Sequence, residues 1–379
     1  MPDMTEDEKL LQAVGDTGFC LEYDVYYILR SHRWNVITNR YYIDDIKGSE
    51  REIDIVAYKG KEIECVVYYT VLIISCKMAK KSLWAFLTHE KEQEDPNFNY
   101  MPIHNVSSDK ILNYFISNES SLYIERLVAD DKVNELYKID HKVFAFQQLN
   151  RESYKTEDDK KIYESIITTI KALEHEKMNH KNTRVKDDCT TFYNFNLISI
   201  FDHGMKEIFF DNSDKSVLSI DNIKYVNRHI INNKDNFYMV HFIDKGAFEH
   251  CLELYDNLFI ENNKVYSGLQ DEFYTSVWEQ PKRVKLFWKQ FEDELSREMK
   301  YFLRNSMSGI PEQYTYTDEL TRDNNMLYIH IDSFWKDEEL KLIIRMNEDR
   351  KFKEEVSKLL INYYQYFGDF RLAEAYLPF

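Results

Sequence analysis

Glycine and proline are scarce in this chain, with 9 and 6 residues among 379. Such low contents exclude collagen-like and low-complexity architectures, and they argue against a glycine-rich loop that cradles phosphates. No Walker A, GxGxxG, GxSxG or zinc-ribbon pattern occurs in the sequence. Motor, dehydrogenase and α/β-hydrolase functions therefore have no support.

Cysteine is also rare, with five residues that form no CxxC pair. An odd number of widely spaced cysteines argues against a secreted disulfide framework and predicts a reducing, cytoplasmic location. The acidic segment MPDMTEDEKLL lacks the layout of a signal peptide. The longest apolar run, Val66–Cys76, is too short for a bilayer and predicts a buried strand, so no membrane association is expected.

Basic residues are outnumbered, with 49 Lys and Arg against 66 Asp and Glu, giving a net charge of −17. This balance argues against a general polyanion binder, although a local basic cleft stays compatible with it. Hydrophobic residues make up 44% of the chain, and 28 Tyr and 24 Phe are present. This composition is typical of a folded globular protein and excludes a disordered chain.

Hydrophobic periodicity predicts an α/β protein with a mainly helical C-terminal addition. The predicted strands are Asn35–Tyr42, Arg51–Tyr58, Ile63–Lys77, Lys142–Gln148, Phe192–Phe201 with Met205–Phe210 as its neighbour, Phe237–Ile243 and Asn325–Ile331. The predicted helices are Gly18–Trp34, Ser107–Leu127, Glu157–His175, Lys245–Tyr255, Lys282–Leu303, Lys336–Met346 and Phe352–Tyr366. Polar, irregular segments at Glu90–Met101 and Lys181–Asp188 predict loops.

Two charged residues stand within apolar predicted strands. Asp54 lies between Ile53 and Ile55, and Lys77 ends the third strand. A charge in such a setting is costly unless another group pairs with it. Side chains alternate along a strand, so Ser75 and Lys77 share one face and Cys76 takes the other. If the two strands pair, Asp54 and Lys77 meet at one end of the sheet.

Three segments resemble the restriction-endonuclease superfamily of PD-(D/E)xK nucleases, most closely its Mrr-like branch in bacterial defence. They are Gly18–Glu22 opening a helix, Arg51–Ala57, and Ile73–Lys77 followed by Lys80, Lys81 and Trp84. The resemblance covers residues 18–84, extends weakly to about 260 and does not cover 262–379. It implies a restriction-endonuclease-like mixed β-sheet flanked by helices in residues 1–262, with an insertion at about 90–140. Residues 263–379 would form a mainly helical accessory domain.

The resemblance also implies a catalytic site. Asp54 would bind a divalent metal, Mg²⁺ or Mn²⁺, with the Glu22 carboxylate and the backbone carbonyl of Cys76 as further ligands. Lys77 would position or activate the attacking water. Oxygen ligands with one or two carboxylates suit magnesium. Two further lysines, Lys80 and Lys81, would contact phosphates beside the cleavage site.

The sequence departs from the family pattern at Ser75, where an acidic residue is expected two positions before Lys77. A hydroxyl adds no negative charge, so metal binding should weaken unless Glu22 compensates. Ile53 also replaces the proline that gives the motif its name, a departure of small consequence.

Three functions stay open. The first is a metal-dependent nuclease acting on DNA, with RNA not excluded, in bacterial restriction or anti-phage defence, where a homodimer would supply two active sites. The second is an inactive nuclease-like domain serving as a nucleic-acid-binding or interaction subunit of a defence complex. The third is a structural adaptor working through the aromatic-rich C-terminal helices.

Two other clusters have plainer interpretations. Lys282, Arg283, Lys285 and Lys289 form a basic patch that fits an ordinary charged helix face. The sequence Asp202-His203-Gly204 fits a turn that ends a strand.

Overall fold

A computed structural model describes residues 5–15, 17–43, 48–91, 101–181, 189–231, 233–306, 315–323, 326–332 and 336–374. Most of the predicted loops at 90–101 and 181–188 therefore lie outside the described residues. The chain divides into two compact units, Met1–Ser267 and Gly268–Phe379. The boundary predicted after residue 262 precedes this division, and both positions fall within one helix, Phe248–Ser276. The prediction that a helix ends at Tyr255 was therefore wrong.

The first unit contains a mixture of helices and strands. Its helices are α1 (Glu6–Gly15), α2 (Phe19–Ser31), α3 (Lys110–Asn118), α4 (Ser120–Leu127), α5 (Asp131–Tyr137), α6 (Lys160–His180) and the start of α7 (Phe248–Ser276). Its strands are β1 (Asn35–Ile43), β2 (Glu50–Ile63), β3 (Val66–Met78), β4 (Ser82–Glu90), β5 (His104–Ser107), β6 (His141–Asn150), β7 (Thr190–Asp202), β8 (Met205–Asp211), β9 (Asp214–Ile220), β10 (Asn222–Ile231) and β11 (Lys234–Asp244).

A seven-stranded mixed sheet forms the centre of this unit. Its order is β1-β2-β3-β7-β11-β10, and β5 pairs with β7. The strands β1, β2 and β3 are antiparallel neighbours. By contrast, β3, β7 and β11 run parallel, so their carboxyl ends meet at one edge of the sheet. The residues 101–140, predicted as an insertion, contribute β5 to this sheet.

Buried side chains form two clusters, one on each face of the sheet. On one face, α2 packs through Leu21, Val25 and Leu29, together with residues of α5 and α7. On the other face lie α6 and a second sheet. The apolar stripe predicted on α6 is confirmed, because Ile162, Ile166, Ile170 and Leu173 are all fully buried. Helices therefore flank both faces of the sheet, and the predicted mixed α/β architecture is confirmed.

The second sheet has four strands in the order β6-β4-β8-β9. It packs on the central sheet through Trp84, whose ring stacks on that of Phe201 at 4.0 Å. The prediction that Met205–Phe210 neighbours the preceding strand was wrong, since β8 pairs with β4 and β9. The positive φ angles of His203 (132°) and Gly204 (86°) mark the turn where the chain leaves one sheet for the other. The interpretation of this segment as a strand-ending turn is confirmed.

A disulfide joins Cys65 and Cys189, whose Cα atoms lie 4.6 Å apart. The number and spacing of the cysteines argue against a disulfide framework, so this bond is a correction to that prediction. The parallel pairing of β3 and β7 aligns Val66 with Thr190, which places the two preceding cysteines side by side. Because the two cysteines are 124 residues apart along the chain, their proximity cannot be recognised from the sequence.

The second unit is mainly helical and also holds a small sheet. Its elements are the end of α7, α8 (Pro281–Ser306), α9 (Lys336–Glu348), α10 (Arg350–Tyr364), β12 (Thr315–Asp323), β13 (Met326–Asp332) and β14 (Phe370–Glu374). The three strands pair in the order β12-β13-β14. Arg283 is only 2% exposed and lies 3.8 Å from Glu272, so it does not belong to a basic surface patch. Across the described residues, every helix is too short or too polar to cross a bilayer.

Candidate functional site

The carboxylate of Asp54 lies where β2 and β3 stop pairing. Their ladder of backbone pairs ends at Ile55 and Ile74. Beyond that point, the backbone N–H of Cys76 donates to Oδ2 of Asp54 at 2.6 Å. The Ser75 hydroxyl donates to the same oxygen at 3.2 Å. A side-chain carboxylate thus takes the position of a backbone acceptor between two diverging strands.

Lys77 reaches the same oxygen from the end of β3. Its Nζ lies 3.7 Å from Oδ2 of Asp54, and the two side chains are 24% and 19% exposed. Asp54 of β2 and Lys77 of β3, the two charges among apolar strand residues, therefore pair with each other, as the sequence predicts. This degree of exposure leaves the pair open to solvent and to a ligand.

Glu22 of α2 adds a second carboxylate to this region. Burial and, to a smaller extent, the negative charge of Asp54 raise its pKa from 4.5 to about 7, and Lys77 opposes this rise. Burial also raises the pKa of the Cys76 thiol, again with contributions from Asp54 and Glu22. The four side chains therefore share one electrostatic environment. A half-buried carboxyl beside another carboxylate favours either a proton or a cation.

The alternation predicted along β3 is present. Ser75 is completely buried, and its hydroxyl and the Lys77 ammonium both face Asp54. Cys76 points to the opposite side, where its thiol belongs to the cluster that packs against α2. The interpretation of Cys76 as a small buried apolar residue is confirmed.

The carboxylate oxygens at this site are suitable ligands for a hard cation such as Mg²⁺. The hydrogen bonds and the ion pair of Asp54 all fall on Oδ2, and Oδ1 has no partner among the described residues. Glu22 supplies a second carboxylate. Nowhere in the described part of the chain do three or more His, Cys, Asp or Glu residues gather to hold a metal. Magnesium needs only one or two protein carboxylates, with water and phosphate completing its shell.

Cationic residues surround the end of β3. Lys80 and Lys81 are exposed in the turn before β4. Two further cations lie here that the sequence pattern does not indicate. Lys161 of α6 donates from Nζ to the Met78 carbonyl at 3.3 Å, and the Arg151 guanidinium donates to the His203 carbonyl.

A second charged cluster lies at the carboxyl ends of β7 and β11. The ammonium of Lys245 donates to Asp24 of α2 and lies 4.0 Å from Asp202. The hydrogen bond to Asp24 raises the pKa of Lys245. Asp244 accepts the Gly204 backbone N–H at 3.0 Å. The sequence could have indicated this cluster through the parallel pairing of β7 and β11. The carboxyl ends of parallel strands bring polar residues that are far apart in sequence to one edge of the sheet.

Comparison with protein-family models, with curated proteins and with solved structures finds no match to this chain.

Proposed function

We propose that this chain is a metal-dependent nuclease that hydrolyses DNA phosphodiester bonds. The observation that carries this proposal is the ion pair between Asp54 and Lys77 on two strands, whose charges also act on the pKa of Glu22 of α2. Two carboxylates and one ammonium at the edge of a sheet suit hydrolysis of a phosphodiester, where negative charge develops.

The first unit supports a restriction-endonuclease-like fold as part of this proposal. Its central sheet is mixed, and helices cover both faces. A helix carrying Glu22 precedes three antiparallel strands, of which the second carries Asp54 and the third ends in Ser75-Cys76-Lys77-Met78. The resemblance found in the sequence rests on the same elements.

Each residue has a role in this proposal. Asp54, Glu22 and the carbonyl of Cys76 would hold the metal. When bound, Mg²⁺ or Mn²⁺ lowers the pKa of a water ligand and neutralises charge on the phosphate. Lys77 donates hydrogen bonds that orient the attacking water. Lys80 and Lys81 contact neighbouring phosphates and position the strand.

The test is cleavage of supercoiled plasmid DNA with Mg²⁺ or Mn²⁺, and with EDTA. We expect cleavage by the wild type and a loss of at least about a hundredfold in Lys77→Ala and Asp54→Ala, a typical effect of removing one stabilising group. Lys59→Ala is a matched control, since Lys59 also lies on this sheet and pairs with Asp256 at 2.6 Å with a similar exposure of 18%. Equal cleavage by all of these proteins would overturn the assignment.

Single-stranded DNA and RNA substrates in the same assay establish the preference for nucleic acid. A role in restriction or anti-phage defence, in the cytoplasm and with other subunits or as a homodimer, belongs to the same proposal. Light scattering during size-exclusion chromatography, with and without DNA, measures the oligomeric state.

Ser75 favours a second candidate, a nuclease-like domain without catalysis that binds nucleic acid or other proteins. Its hydroxyl is completely buried and donates to Asp54, so a neutral donor occupies the position where the family pattern has a ligand. Because Ser75 carries no negative charge, such a site binds a cation less strongly. In this second candidate, the contacts of Asp54 stabilise the sheet and have no role in catalysis.

Ser75→Glu and a metal titration separate the two candidates. Gain of cleavage by Ser75→Glu in an otherwise inactive protein supports the inactive domain, whereas loss of existing cleavage supports a site adapted to serine. Calorimetry with Mg²⁺ and Mn²⁺ alone gives an independent readout. Binding that disappears in Asp54→Asn supports the nuclease, and absence of metal binding supports the second candidate.

A further inference from the structure

A cavity of about 240 Å³ lies between the central sheet and α6, apart from the candidate nuclease site. It is bounded by side chains of β1, β2, β3 and β7 and by the last turns of α6. None of Glu22, Asp54 and Lys77 lines it. Its volume is below that of pockets for drug-sized ligands, so it suits a single planar ring system.

Aromatic rings form one wall of this cavity. Tyr69 and Tyr193 stack with centroids 4.8 Å apart and an interplanar angle of 12°, because the parallel pairing of β3 and β7 places them directly opposite each other. Tyr58 meets Tyr69 edge-on at 6.0 Å, and Phe195 continues the row at 5.8 Å from Tyr193. Tyr58 and Tyr69 stay partly exposed. The sheet thus presents a row of rings to whatever enters the cavity.

Charged residues line the cavity beside these rings. Arg40 donates from Nε and Nη2 to the two oxygens of Glu176 at 2.6 and 3.1 Å. His180 lies 3.0 Å from the same carboxylate and stacks on Tyr193 at 4.4 Å. Glu176 is only 5% exposed. The carboxylate therefore fixes the guanidinium in one orientation at the cavity wall.

The charges at this wall select among ligands. Glu176 already pairs with Arg40 and contacts His180, so it leaves no free carboxylate for a cationic ligand. Arg40 lines the cavity, and its Nη1 group has no hydrogen-bond partner among the described residues, so two N–H donors are available to a ligand. A planar ring with acceptor atoms on its edge matches this lining, since it can contact the aromatic rings while its edge accepts from arginine.

We infer that this cavity binds a nucleobase. Bases stack on aromatic side chains and guanidinium planes in proteins that bind unpaired nucleotides, and each such contact tolerates different sequences. The base belongs either to a free nucleotide or to an unpaired position of a polynucleotide. The inference does not depend on nuclease activity, because it uses other residues and no metal.

The test is calorimetry on the full chain in EDTA with AMP, GMP, CMP, UMP and a short single-stranded oligonucleotide of mixed sequence. Ribose 5-phosphate, which lacks a base, is the ligand control. We expect at least one base-bearing probe to bind and Tyr69→Leu to weaken that binding about tenfold or more, as expected for loss of a stacked ring. Tyr41→Leu, at a β1 tyrosine that is 60% exposed and outside the cavity, should bind as the wild type does.

Binding of a nucleoside monophosphate identifies a free nucleotide as the ligand, and binding of the oligonucleotide alone identifies an unpaired base in a strand. Absence of binding by every base-bearing probe, equal binding of ribose 5-phosphate, or unchanged binding by Tyr69→Leu would each overturn the inference. Circular dichroism melting verifies that the variants fold. If Tyr69→Leu does not fold, Tyr58→Leu replaces it with the same expected loss.

Discussion

The Oδ2 atom of Asp54 lies 3.7 Å from Nζ of Lys77 and accepts the backbone N–H of Cys76 at 2.6 Å. One carboxylate oxygen therefore bridges β2 and β3 at the point where their backbones separate. The same contact both stabilises the end of the sheet and keeps an ammonium beside a carboxylate. This double role means that substitutions here affect stability as well as activity, and the two effects have to be measured separately.

Replacing Asp54 should reveal its contribution to the sheet. Asp54→Ala leaves the Cys76 N–H and the Ser75 hydroxyl without their acceptor, and we expect a loss of about 1–3 kcal/mol in the free energy of unfolding. Asp54→Asn keeps an acceptor oxygen and should lose less. Chemical denaturation followed by circular dichroism measures both. Identical losses in the two variants would contradict a role for the acceptor.

Glu22 should make stability depend on pH. Because its pKa is raised to about 7 in the folded protein from 4.5, the folded state binds a proton more tightly than the unfolded state. This contribution to stability is full below pH 4.5, declines as pH rises toward 7 and is absent above it. Glu22→Gln removes the titrating group, so the variant should exceed the wild type in stability at pH 8, with a smaller difference at pH 5.

Thermal melts at a series of pH values measure this difference for Glu22→Gln. The control is Glu62→Gln, at an exposed position on β2, which should follow the wild type at every pH. A constant offset between Glu22→Gln and the wild type from pH 5 to 8 would contradict the raised pKa.

The meeting of Asp54 and Lys77 was predictable from the sequence because it depends on local order. β2 and β3 are joined by a short turn, and the pairing of Ile55 with Ile74 brings the two charges together. Strand alternation then assigns Ser75 and Lys77 to one side. The pairing of neighbouring strands and the alternation of side chains along them are enough to predict this part of the site.

Contacts across long segments of chain were not predictable in this way. Lys161 reaches Met78 only because α6 crosses over the sheet between β3 and β7. Lys245 meets Asp24 and Asp202 through the order of the parallel strands. β9 also escaped prediction, because its residues are almost all exposed and show no alternation of apolar and polar positions.

The bond between Cys65 and Cys189 should stabilise the first unit. It links the turn before β3 to the start of β7 across 124 residues, and closing so long a loop reduces the entropy of the unfolded chain. Measured effects of disulfides are typically about 2–4 kcal/mol. We expect a reducing agent to lower the melting temperature, and Cys65→Ala to melt near that lower temperature with or without reductant.

Thiol titration of the denatured protein checks the same bond directly. Without reductant we expect the three free cysteines, Cys20, Cys76 and Cys251, and after reduction all five. Five reactive thiols without prior reduction would show that the two cysteines are not bonded in the purified protein.

Arg40 and Glu176 should be strongly coupled in stability. Glu176 is 5% exposed and receives two hydrogen bonds from Arg40, so Arg40→Met leaves a buried carboxylate with only His180 to balance it. We expect a loss of about 3 kcal/mol, because an uncompensated buried charge is costly, whereas the double variant Arg40→Met with Glu176→Leu should recover most of it.

The control is Arg350→Met, at the exposed pair with Glu354, where the arginine side chain is 92% exposed and the loss should stay below about 1 kcal/mol. Denaturant unfolding of the single and double variants completes a double-mutant cycle, and additive effects of the two substitutions would contradict the coupling.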